Sequence, residues 1–177
     1  MIMSNAWYFA YGSNMQRATF AGRRGIAFSR ALPARVNAWR LVFDKPPLLP
    51  IGESYANIIP DPAAEVLGVL YEVTLDDLAH IDFTEGVQLG NYRRVEVPAI
   101  PLAPIEPPPL SAFTLTSERR DDQLQPSLRY MSLLIAGAIE HRLPADYVEF
   151  LRSVPARPET PEAIEFRAMV DDVLRRR

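Results

Sequence analysis

The 177-residue chain has no cysteine, so disulfides, thiolate nucleophiles and Cys-ligated metals are excluded. It has two histidines, His80 and His141, too few for a His-rich metal site. Lys45 is the only lysine, which removes Schiff-base chemistry everywhere else. There is no run of about 18 apolar residues, so no helix is expected to span a membrane. The opening residues have neither a basic segment nor a long apolar one, so no signal peptide is expected and a cytoplasmic location is the default. The net charge of -3 supplies no overall basic field for nucleic acid or anionic lipid.

What remains is ordinary globular material, 48% hydrophobic and 23% charged, without internal repeats. This length can bury a core without staples. Residues 1–177 read as a single domain, with 126–177 mainly helical.

Trp7-Tyr8-Phe9-Ala10-Tyr11 is a continuous apolar run that reads as a buried strand. Gly12-Ser13-Asn14 breaks it, and a short helix or turn is expected from about Met15. Further strands are predicted over Ala34 to Phe43, Tyr55 to Ile59 and Val66 to Val73. Lys45-Pro46-Pro47 should end the first of these and Pro60-Asp61-Pro62 the second. The third is apolar on both faces, so it should be central.

Thr74-Leu75-Asp76-Asp77 has the form of an N-cap with an acid three residues on. The helix it opens should bury Leu75, Leu78 and Ala79 and fail at Glu85-Gly86, with Gly86 left-handed. Tyr92 to Ile100 alternates as a strand. Pro98, Pro101, Pro104 and Pro107 recur every third residue, the period of a polyproline II segment. A stiff surface loop is the favoured reading of 98–109. Ala112 to Thr116 should rejoin the sheet.

From Pro126 three helices are expected. Their stripes run from Leu128 to Ile139, from Tyr147 to Val154, and along Phe166, Met169, Val170, Val173 and Leu174. Pro144 and Thr160-Pro161 mark the second and third starts. All three stripes read as core contacts, and Arg175-Arg176-Arg177 suits the last helix's negative end. Strands first and helices later make the fold class α+β.

The candidate chemistry is thinly marked. The Tyr11-Gly12-Ser13-Asn14 turn offers backbone N–H groups that could hold a carboxylate or an oxyanion, although alone it reads as a turn with Ser13 or Asn14 as cap. Glu85 sits at a helix end, where the dipole disfavours an acid, between Phe83 and Val87. Asp82 precedes it by three residues and can share its face. Tyr92 and Tyr130 are amphipathic, and the histidines read as surface or helix residues. Ser13 has no evident His partner for a Ser-His-Asp site.

Taken together, Tyr11-Gly12-Ser13-Asn14-Met15 after an N-terminal strand, Asp82-Phe83-Thr84-Glu85-Gly86-Val87 and Tyr92 resemble the γ-glutamylcyclotransferase family. The resemblance covers roughly residues 7–97 and continues more loosely through Pro126-Ser127-Leu128-Arg129-Tyr130. Met15 stands where Leu is more usual.

The resemblance implies a mixed β-barrel or curved sheet flanked by helices, with C-terminal helices. It implies a cofactor-free, metal-free reaction: the α-amine of a γ-glutamyl group attacks its own γ-carbonyl, releasing 5-oxoproline and an amine. By position, Glu85 is the general acid/base. Tyr11, Gly12, Ser13 and Asn14 hold the glutamyl group, and Tyr92 and Tyr130 line the pocket.

A glutamate at about 4.3 facing an α-amine at about 8 lags by nearly four units, or about 5 kcal/mol. Glu85 is therefore expected in a partly closed pocket that raises its pKa, with Phe83, Val87 and the tyrosines supplying the desolvation. The competing readings are a binding module for a small acidic metabolite, a hydrolase using Glu85 on water, and an interaction protein using the Pro-rich loop. The partner is a small γ-glutamyl molecule, with no nucleic acid or membrane. A homodimer is compatible with the sequence. The leaving group is open among amino acids, polyamine-type amines, a crosslinked lysine, a carrier-bound acyl group and Cys-Gly.

Overall fold

The computed structural model describes residues 5–175. Five strands close a barrel in the order β1-β3-β2-β4-β5. They are β1 (Asn5–Ala10), β2 (Arg30–Lys45), β3 (Tyr55–Thr74), β4 (Arg93–Pro101) and β5 (Leu110–Thr116). All neighbours are antiparallel except β1 and β5, which close the ring in parallel at Tyr8 and Phe113. Helices α1 (Leu75–Thr84), α2 (Leu128–Glu140), α3 (Ala145–Ser153) and α4 (Pro161–Arg175) pack outside it. The architecture is α+β, as expected.

The second and third expected strands past the first turn are one. β3 runs through Pro60 and Pro62 for 20 residues and is central, between β1 and β2. The prolines are tolerated because they fall where the β2–β3 register shifts, between Asn37 and Trp39. There β3 places four residues, 61–64, opposite the single residue Ala38 of β2, which takes a left-handed φ of 65°; the bulge is on β3 itself and relaxes the ladder that Pro cannot complete. β2 ends at Lys45, before the paired prolines.

Close approach accounts for two glycines. A Cβ on Gly68 of β3 would lie 2.2 Å from the Ala10 carbonyl oxygen, and one on Gly137 of α2 would lie 2.7 Å from the Gln16 nitrogen. Gly137 thus lets α2 press directly on the turn after β1. That turn is a single 3-10 turn, Ser13–Met15, followed by a π-helical turn over Ala18–Arg23. The latter delivers Phe20 to the core, stacked on Tyr71 with ring centroids 4.2 Å apart.

α1 starts as expected: the Asp77 N–H donates to Thr74 Oγ1 at 3.1 Å. Its buried face differs. Leu78, Ile81 and Asp82 face inward, while Leu75 is 53% exposed and Ala79 is exposed. The helix ends at Glu85, and Gly86 takes φ 70°. Thr160 caps α4 by accepting from the Ala163 N–H at 3.1 Å. His141 is no surface residue. It is buried at the end of α2, its Nε2 3.1 Å from the Tyr71 hydroxyl, and burial pushes its pKa down. The loop expected over 98–109 begins later: Pro98 and Pro101 lie in β4, and 102–109 form the loop, with Ile105 86% exposed. The side chain of Leu174 and the charges of Arg175, Arg176 and Arg177 fall outside the described residues.

Candidate active site

A cavity of about 430 Å³ opens where the ends of β1, β2 and β3 meet α1, α2 and α4. Glu85, the Tyr11–Asn14 loop, Tyr92 and Tyr130 all line it. Three separated stretches of sequence are brought to one chamber by the barrel's closure.

Glu85 is held by side chains on opposite walls. Its Oε1 accepts from Asn14 Nδ2 at 2.9 Å and pairs with Arg24 Nη2 at 3.0 Å. Its side chain is 16% exposed and that of Arg24 11%. Arg24 also donates to the Thr84 carbonyl at 3.3 Å, and its own carbonyl lies 2.8 Å from His80 Nε2. The backbone of Glu85 is fixed too, because Asn91 Nδ2 donates to its carbonyl at 2.9 Å and the Asn91 N–H donates to Gly86 at 3.0 Å. Glu85 does not stand in the isolated apolar frame read from its neighbours. Phe83 is half exposed, and Val87 lies outside the cavity lining. Asp82 turns away and pairs with Arg94 at 3.3 Å, so the two acids do not act together.

Four tyrosines enclose the inner end. Tyr8, Tyr11 and Tyr130 are each under 9% exposed, and burial pushes the phenols of all four, Tyr92 included, upward. They are therefore neutral donors and acceptors, not bases. Tyr130 Oη accepts from the Ala56 N–H at 3.1 Å and keeps its own proton for another acceptor. Tyr92 donates to the Ala56 carbonyl at 3.0 Å and keeps lone pairs. Tyr11 commits its proton to the Leu115 carbonyl at 2.6 Å. A Cβ on Gly12 would come 3.1 Å from the Tyr130 hydroxyl, so glycine leaves that group room.

Sequence reasoning missed Tyr8, Arg24, Asn91 and Lys45. Tyr8 receives the second hydrogen of Asn14 Nδ2 at 3.2 Å. Lys45, 1% exposed, lines the same cavity with its ammonium donating to Asn91 Oδ1 and 4.4 Å from the centre of the Tyr92 ring. Burial and the nearby Arg119 push its pKa down to about 7, against the upward pull of Glu85. A sole lysine at the end of a strand, in a chain otherwise using arginine, was the signal available. Among the described residues no three His, Cys, Asp or Glu are grouped to hold a metal ion.

The α4 stripe is not core. Phe166, Val170 and Val173 line the cavity, and Met169 is 53% exposed.

Comparison with known proteins agrees with this barrel. Residues 65–151 match the model of the AIG2-like family. The chain is 28% identical over 151 residues to a γ-glutamylcyclotransferase of Bos taurus, covering 83% of this chain and 77% of that protein. It is 29% identical over 164 residues to a γ-glutamyl cyclotransferase of Aspergillus oryzae, covering 82% of this chain and 60% of that one. A solved structure of a γ-glutamyl cyclotransferase superposes with a TM-score of 0.77 at 25% identity, covering 98% of this chain and 100% of that one. The fold is that of a small cyclotransferase-like barrel. In sequence and fold the chain is similar to proteins of the γ-glutamylcyclotransferase-like family.

Proposed function

We propose that the chain converts a γ-glutamyl amine, amino acid or peptide to 5-oxoproline and the free amine. The observation that carries this reading is the placing of Glu85. Its carboxylate is held by Asn14 and Arg24 in a cavity walled by neutral tyrosines.

Nucleophile and electrophile belong to one molecule, so the site has only to fold the substrate into attack geometry and manage one proton. Glu85 takes the proton that the α-amine sheds as its nitrogen attacks the γ-carbonyl. The tetrahedral oxyanion falls to donors lining the same cavity: the N–H groups of Ser13 and Asn14 at the start of the turn, and the remaining Tyr130 proton. Collapse breaks the bond to the leaving nitrogen, and Glu85 returns its proton there.

The test is product identity. Purified protein is incubated with γ-glutamyl amino acids, γ-glutamyl amines and glutathione, and the products are resolved by mass spectrometry. Release of 5-oxoproline is expected. Free glutamate would replace cyclisation with hydrolysis, and binding without turnover would leave a binding module.

A further inference from the structure

The cavity is graded from one end to the other. Its inner end is polar and closed, with Tyr8, Tyr11, Asn14 and Tyr130 all under 9% exposed. Its outer end is apolar and open: Leu48 is 41% exposed, Phe83 50%, Leu89 72% and Val173 55%, and all four line the same space. Phe166 and Val170 complete this rim from α4. Residues 166, 170 and 173 follow helical spacing, so one face of α4 looks into the opening.

The helix is anchored there by charge. Arg23 pairs with Asp171 at 2.5 Å, and Glu159, just before α4, accepts from Arg167 at 2.8 Å and lies 4.0 Å from Arg129. Arg23, Arg129 and Arg167 all line the cavity. Arg129 feels Arg167 and Arg23 against Glu159 and Asp171, so the wall carries cations in at least equal number.

Resting on the cyclotransferase reading above, we propose that the Leu48–Leu89–α4 rim is the leaving-group subsite and selects γ-glutamyl conjugates whose amine carries a bulky apolar, non-cationic side chain. A glutamyl group engaged by Glu85 and the Tyr11–Asn14 loop occupies the inner end. Its γ-amide then points outward, and whatever hangs on the amide nitrogen meets the rim. An aromatic or branched side chain covers these exposed apolar surfaces, whereas glycine leaves them wet. A lysine side chain of similar reach brings its ammonium against the arginines and desolvates it on apolar carbon.

The test compares kcat/KM for γ-glutamyl-phenylalanine and γ-glutamyl-leucine with γ-glutamyl-glycine and γ-glutamyl-lysine, all of which keep the leaving group's carboxylate. The apolar conjugates should exceed the other two by about tenfold or more, the scale of one or two buried methylenes. The F166S/V170S double variant should erase that preference, bringing kcat/KM for the apolar conjugates down to the level of γ-glutamyl-glycine in the same variant. Both positions lie only partly buried on the helix, so the fold is expected to hold, and circular dichroism checks it.

Equal rates across the conjugates, or a preference that survives the double variant, would overturn the assignment of the rim. If nothing is turned over, calorimetry separates the two claims. Tighter binding of the phenylalanine conjugate supports the rim and sinks only the reaction, whereas equal or absent binding sinks both.

Discussion

Replacing Lys45 by methionine should stabilise the protein at low pH and lose that advantage as the pH rises. The ammonium is 1% exposed, and its pKa falls from 10.5 to about 7. That drop of about 3.5 units corresponds to about 5 kcal/mol, at about 1.4 kcal/mol per unit. Below pH 7 the lysine is charged both folded and unfolded, and the folded state bears the full desolvation cost. Between about pH 7 and 10.4 only the unfolded chain holds the extra proton, so the wild type gains stability as pH rises. Methionine has similar volume and no proton, and the lost Asn91 contact is a constant offset. Urea unfolding of both proteins at intervals from pH 6 to pH 10 reads the difference directly, since every other group titrates alike in the two. The variant's relative advantage should shrink by about 4 kcal/mol over that range. A difference independent of pH, or one that grows with it, would refute the claim that Lys45 is a desolvated ammonium.

Three further outcomes follow from the contacts at the site. Arg24→Met removes the partner that fixes Glu85 and should lower kcat about 10- to 100-fold with KM little changed. A loss confined to KM would show that Arg24 binds substrate instead. Tyr130→Phe leaves the Ala56 N–H without its acceptor and should cost about 1–3 kcal/mol, visible as a fall in Tm; an unchanged Tm would mean the bond contributes nothing net. Gly137→Ala drives a methyl into the Gln16 backbone and should destabilise by about 1–3 kcal/mol while lowering activity through the displaced Asn14. Full activity would mean that the turn is not set by α2.

The local signals in the sequence carried most of the elements. The Thr74 cap, the Gly86 stop, the prolines at the starts of α3 and α4, and the resumption of the sheet at β5 follow from short-range chemistry that any neighbour can read. What failed was long-range. Pro60 and Pro62 looked like a strand end because the bulge that accommodates them is defined by β3's register against β2, a pairing no local stretch of sequence shows. Phe166, Val170 and Val173 looked like core because periodicity says that a face is covered, not by what. Glu85 was singled out as a candidate by its place at a helix end and by resemblance. Its partner Arg24 lies 61 positions away in a plain Arg-Arg-Gly stretch and becomes visible only when the π-helical turn brings it over the end of α1. The buried Lys45 was named as an exception and given no place, because a strand end beside two prolines normally faces water.

The claim on which the account rests is that Glu85 moves the proton in ring closure. The rate of 5-oxoproline release by Glu85→Gln, on the best substrate and at an enzyme concentration that saturates neither assay, tests it most directly. The amide preserves shape and accepts from Asn14 but cannot take a proton. A fall of about 100- to 10,000-fold, the range of general acid–base catalysis, with substrate still bound, is the predicted result. A variant that releases 5-oxoproline within tenfold of the wild type would contradict the account.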